Sequence, residues 1–211
     1  MKSKNEKIGE ILALAPVVPV LQFSNPDVAV KTAQALVDGG LPAIEITLRT
    51  KEALDCMAAV IKQVDGAVVG AGTVLTPNAM TDCIDMGCQF LVSPGATVEL
   101  IEANRKKDVP LLPGVATPSE AMGLMAEGYR YLKFFPAQQA GGAPYLKSLS
   151  AVFPDLQFCP TGGLNADNAG PFLALPNVIC VGGSWVTPSD LIAAEDWDGI
   201  TAIAQQASRL S

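Results

Sequence analysis

Eight short, nearly continuous apolar runs recur along this chain at roughly 25-residue intervals, and the segments between them carry apolar residues at helical spacing. The runs are 17–21, 43–48, 67–72, 89–93, 109–115, 131–136, 157–160 and 178–182. Each is short and apolar, and the 131–136 run is bounded by Gly128 before it and Pro136 at its end, so each reads as a strand. Helix signals fill the gaps. An amphipathic segment, 4–15, carries Ile8, Ile11, Leu12 and Ala15 and stops at Pro16. Asn25-Pro26, Thr76-Pro77 and Thr117-Pro118 each place a capping side chain before a proline suited to the first helical turn, with glycines at 39–40, 87 and 128 to close those helices. Further helices are expected over 50–64, 97–107 and 144–152, from Asn165 onward, and over 188–210. Eight strands alternating with helices, with no break in composition, predict a single-domain (β/α)8 TIM barrel spanning 1–211 with an extra N-terminal helix. An open doubly wound sheet alternates similarly, but the count reaches eight and no Gly-x-Gly-x-x-Gly follows the first strand.

Composition narrows the function. With 211 residues and 49% apolar content the chain can bury one good core. A net charge of -7 and 17% charged residues leave no basic cluster to neutralise a row of phosphates, so nucleic acid is not an expected partner. The N-terminus is polar and no apolar run approaches the ~20 residues of a membrane span, so the expectation is a cytoplasmic protein with no membrane partner. Five cysteines without a Cys-x-x-Cys pair suggest small buried hydrophobes rather than a disulfide framework or zinc site. There is no histidine, which removes Ser-His-Asp, Cys-His and His-zinc chemistry. Catalysis must then run on Lys, Glu, Asp, Arg and hydroxyls.

Two ionisable residues stand inside the predicted strands. Lys133 sits in Tyr131-Leu132-Lys133-Phe134-Phe135-Pro136, sharing a strand face with Tyr131 and Phe135. On an edge strand such a lysine would snorkel to water. In a central strand it would point into a dry interior, where burial disfavours the charged form of an amine and a neutral amine attacks carbonyls. Glu45 lies in 43–48, sharing a face with Thr47 and with Arg49 at the strand's carboxyl end, where barrel active sites are built. Glu45 and Lys133 could form a structural ion pair or an acid/base group beside a nucleophile. At the ends of the last two strands, Thr161-Gly162-Gly163 and Gly182-Gly183-Ser184 either make ordinary turns or bring backbone N–H groups close to an anion, in the loops where this fold binds phosphate.

Seven ordered blocks resemble the 2-keto-3-deoxy-6-phosphogluconate aldolase / 4-hydroxy-2-oxoglutarate aldolase family of class I, Schiff-base aldolases. They are 16–20, 45–50, 70–75, Ser93-Pro94-Gly95, 133–137, 159–163 and 182–185. The resemblance implies a lyase of the Entner-Doudoroff pathway in which Lys133 forms the Schiff base and Glu45 moves protons, through a water. It further implies that Arg49 and Thr73 hold the pyruvate carboxylate, that Pro94 contacts substrate, that Phe135 packs beside the reacting carbons, and that Thr161 meets the aldehyde portion. Gly162, Gly163 and Ser184 would take the phosphate. The implied partner is a small phosphorylated 2-keto-3-deoxy acid, with pyruvate as product, no cofactor or metal, and a homotrimeric assembly. One departure is Gln138-Gln139, where many relatives carry an acidic residue; it bears on selectivity. Two other readings stay open: the same chemistry on the 6-phosphogalactonate epimer, and a phosphosugar-binding barrel without turnover.

Overall fold

A computed structural model describes residues 2–211. The chain runs α1 (Lys4–Leu12), β1 (Val17–Leu21), α2 (Pro26–Asp38), β2 (Ala43–Thr47), α3 (Ala53–Gln63), β3 (Val68–Gly72), α4 (Pro77–Asp85) and β4 (Phe90–Val92). It continues through α5 (Val98–Arg105), β5 (Leu111–Leu112), β6 (Gly114–Val115), α6 (Pro118–Ala126), β7 (Tyr131–Phe134) and α7 (Gly142–Ser150). The last elements are β8 (Gln157–Pro160), α8 (Gly170–Leu173), β9 (Val181–Gly183), α9 (Ser189–Ala193) and α10 (Trp197–Ala207). No helix among the described residues is long and apolar enough to cross a membrane.

The fold is α/β, with parallel strands curled around a small interior cluster. β1 pairs with β2 and β9, β2 with β3, β3 with β4, and β4 with β5, all parallel. A second parallel set runs β6, β7, β8. Single bridges, Phe158 to Val178 and Thr161 to Gly182, link β8 to the β9 side. Alternation along each strand separates two apolar clusters. Ile44, Ile46, Val69, Ala71, Leu91, Leu132, Phe134 and Phe158 face outward, into the layer shared with the helices. Val18, Ala43, Phe90, Val92, Leu112, Cys159 and Cys180 face inward, where Ile8 and Leu12 of α1 join them. All five cysteines are free and buried, as small hydrophobes would be.

Local chemistry fixed most helix starts. Asn25 Oδ1 accepts from the N–H groups of Asp27 and Val28, and Thr76 accepts from Ala79 N–H. Thr117 and Glu120 cap α6 reciprocally. The departures from expectation have equally local causes. The strand expected over 109–115 is split at Pro113, which has no N–H to donate to the ladder, although its carbonyl still accepts from Lys133 N–H at 2.9 Å. No helix starts at Asn165: its side chain accepts from the N–H groups of Asp167 and Asn168 and holds a turn, leaving only the short α8. The 188–210 pattern is two helices, parted at Glu195, whose φ of 53° is incompatible with continuation. The strand expected from Val178 begins as a single bridge and pairs regularly only from Val181.

Candidate active site

β7 lies between β6 and β8, so Lys133 is no edge residue. Its side chain is 5% exposed, which rules out snorkelling. From β2, the 4% exposed side chain of Glu45 reaches in so that Oε1 stands 3.4 Å from Lys133 Nζ. The ammonium position is also 5.4 Å from the centroid of the Phe135 ring, which closes the apolar side. Such a pair is costly to bury and gains little over apolar packing, so its presence in the strands calls for a use beyond stability. Of the other buried nucleophiles, Cys180 has its thiol pushed well above the ordinary range, first by its hydrogen bond with Cys159 and then by desolvation. Burial likewise pushes Cys83 up to about 11 and Cys88 to about 12. These three thiols are therefore poor sources of thiolate at neutral pH.

A cavity of about 560 Å³ opens at the carboxyl ends of the strands. Arg49, Phe135, Thr161, Gly162, Gly163 and Ser184, all expected from the sequence, line it. Thr73 stands just outside that lining and accepts a hydrogen bond from Arg49 Nε at 3.1 Å. Its φ of 60° is a left-handed conformation that a β-branched residue adopts at a cost, of the sort retained at functional positions. Pro94 follows β4 with its carbonyl against Gly114 and, like Thr73, is not itself part of the lining. Lys133 and Glu45 are not on the wall either; they lie beneath it, in the strand interior.

The rim at the ends of β8 and β9 is built from backbone. Gly162 and Gly163 have φ of 104° and 75°, values that only glycine adopts without strain. Their loop is held to the end of β7 by Ala137 N–H donating to Thr161 O at 2.8 Å and Gln138 N–H to Gly162 O at 3.1 Å. Ser184 is exposed, and its carbonyl accepts from the N–H and the hydroxyl of Thr187. A turn of successive N–H groups with a hydroxyl beside it suits a tetrahedral anion. Sequence reasoning missed Gln22, Phe23, Thr187 and Ser189, which also line the cavity. Gln22 and Phe23 follow β1 directly, so the strand-end rule for this architecture was the signal that could have found them.

The model of the KDPG and KHG aldolase family matches residues 8–203. The chain belongs to that family. Membership makes it an aldolase, a lyase acting on a carbon–carbon bond. The KHG/KDPG aldolase of Escherichia coli K12 is 43% identical over 207 residues, which cover 98% of this chain and 97% of that one. Among solved aldolases of the family, the KDPG aldolase of Zymomonas mobilis ZM4 with 3-phosphoglycerate has a TM-score of 0.93 at 43% identity, covering 98% of this chain and 97% of its own. The Legionella pneumophila KDPG aldolase, with pyruvate captured as a covalent carbinolamine, has a TM-score of 0.92 at 44% identity, covering 95% and 97%.

Proposed function

We propose that the chain cleaves 2-keto-3-deoxy-6-phosphogluconate to pyruvate and glyceraldehyde 3-phosphate in the Entner-Doudoroff route, and acts on 4-hydroxy-2-oxoglutarate as well. The observation that carries this reading is the amine of Lys133, buried 3.4 Å from Glu45 beneath a cavity lined by one guanidinium and two glycine-rich loops. The Lys133 amine adds to the C2 ketone and the carbinolamine loses water, leaving an iminium that withdraws electrons. Glu45 takes the C4 hydroxyl proton, directly or through a water. The C3–C4 bond pair then flows into the iminium, releasing the aldehyde and leaving the enamine of pyruvate. Glu45 returns a proton to the former C3, and water hydrolyses the imine to free pyruvate and the amine.

The remaining groups position the substrate. Arg49 offers a planar fork to the carboxylate, with Thr73 fixing its Nε edge. Phe135 packs beside the reacting carbons, and the Thr161 hydroxyl faces the aldehyde portion. Gly162, Gly163 and Ser184 take the phosphate. The architecture in this reading is one closed (β/α)8 barrel with α1 as an additional helix across its base. The two bridges at the β8–β9 seam and the α1 residues in the interior cluster support it. Exposed Leu75, Val98 and Met122, at 58%, 67% and 56%, lie on successive strand-to-helix units and support an apolar contact face for a homotrimer. A cytoplasmic location fits a phosphorylated sugar-acid substrate.

The test is a stoichiometric assay with 2-keto-3-deoxy-6-phosphogluconate, following pyruvate with lactate dehydrogenase and the aldehyde with a second coupling enzyme. Equal amounts of the two products are expected. Turnover confined to the 6-phosphogalactonate epimer would move the assignment to that substrate, and turnover confined to 4-hydroxy-2-oxoglutarate would move it to that one.

A further inference from the structure

β3 turns Val69 and Ala71 outward and presents two glycines, Gly70 and Gly72, to the interior. Neither has a positive φ, so the backbone does not require glycine at either position. What both supply is space, and the two spaces have different occupants. A methyl group at Gly70 would run into the ring of Phe90, deep in the apolar cluster. One at Gly72 would stand 2.6 Å from Glu45 Cγ and 2.7 Å from its Cδ, and would overlap Oε1. Carbon atoms in contact need about 3.5–4.0 Å, so the carboxylate could not stay where it is.

Glu45 has nowhere equivalent to go. It is 3% exposed, with Val20 of β1 and Gly70 of β3 beside it in register and Thr47 next on its own inward face. Any displacement away from β3 would change the 3.4 Å approach of Oε1 to Lys133 Nζ. We infer that Gly72 is a positioning residue for the aldol reaction: its missing side chain forms the slot in which the Glu45 carboxylate lies against β3, within reach of Lys133. This rests on the proposed role of Glu45 as proton carrier.

The experiment compares Gly72→Ala, Glu45→Gln, Gly72→Ala/Glu45→Gln and Gly70→Ala. Two rates are read for each: cleavage of 2-keto-3-deoxy-6-phosphogluconate, and exchange of deuterium from solvent into the pyruvate methyl group by NMR, which isolates the proton transfer. Gly72→Ala is expected to lower kcat and the exchange rate together by about 10²-fold or more, with KM little changed and borohydride trapping of pyruvate retained. In the Glu45→Gln background the same change should cost nothing further, because a residue acting only through Glu45 has nothing left to position. Gly70→Ala should lower the melting temperature without a selective loss of exchange.

A Gly72→Ala enzyme near the wild-type rate beside a slow Glu45→Gln would overturn the inference, as would equal fold-losses in both backgrounds. Full exchange activity in Glu45→Gln would overturn the role of Glu45 itself, a separate outcome. Should Gly72→Ala not fold, Gly72→Ala/Glu45→Ala removes the overlapping atoms and should fold and melt higher. No such rescue would contradict the slot.

Discussion

At the floor of the site Glu45 and Lys133 bring two ionisable side chains into strand interiors, 4% and 5% exposed, whereas at the rim Gly162, Gly163 and Ser184 bring no formal charge and stand at the water's edge. The floor depends on side chains held by paired strands, and a displacement of an ångström there changes which proton can move. The rim depends on backbone N–H groups in a turn that only glycine makes without strain. In the proposed reaction the first region would decide whether a carbon–carbon bond breaks, and the second which molecule is held while it does.

The largest effect should come from removing the floor's nucleophile. Lys133→Met is expected to abolish cleavage in the coupled pyruvate assay and to leave Glu45 buried without its partner, lowering stability in urea denaturation by about 3–5 kcal/mol. Measurable aldol turnover in a folded Lys133→Met sample would break the contrast at once. Glu45→Gln comes next: kcat falls by ~10²- to 10⁴-fold while pyruvate is still trapped on the enzyme, since the amine remains. If trapping vanished together with turnover, Glu45 would be acting on imine formation and not on proton transfer alone.

At the rim the losses should be smaller and selective. Ser184→Ala removes one hydroxyl donor to a charged phosphate, worth about 1.5–3 kcal/mol, so KM for the phosphorylated substrate should rise by roughly 10- to 150-fold. Cleavage of 4-hydroxy-2-oxoglutarate should stay near wild type. Equal losses on both substrates would place Ser184 with the chemistry and blur the division.

The smallest effect lies outside both regions, at the start of α6. Glu120 accepts from the backbone N–H groups of Ala116 and Thr117, and those bonds, Ala116 first, hold its carboxyl below the ordinary value near 4.5. A lowered folded-state pKa gives stability that is fully present above the ordinary value and is lost as pH falls through the lowered one. Thermal melts of Glu120→Gln should therefore lie below wild type at neutral pH and approach it in acid. Parallel curves down to acid pH would show that the carboxyl's charge does not matter to the cap.

The floor was the more legible region because it breaks local rules. A lysine amid Tyr, Leu and Phe and a glutamate between isoleucines are visible without a structure. The helix starts at Asn25, Thr76 and Thr117 were legible for the opposite reason, since capping obeys rules confined to four residues. What could not be read depends on separated segments. That the Glu45 carboxylate lies over Gly72 requires the β2–β3 register, which pairs Thr47 with Gly72. The turn at Asn165 and the split at Pro113 were decided by a side-chain hydrogen bond and a missing donor that apolar periodicity does not register. The walls formed by Thr187 and Ser189 come from the loop leading into α9, whose composition resembles any other loop.

The most direct measurement is borohydride reduction of the protein with and without pyruvate, followed by peptide mass mapping. A pyruvate-dependent adduct on Lys133 alone is the predicted result; a folded sample in which Lys133 stays unmodified, or in which a surface lysine carries the adduct instead, would contradict the account.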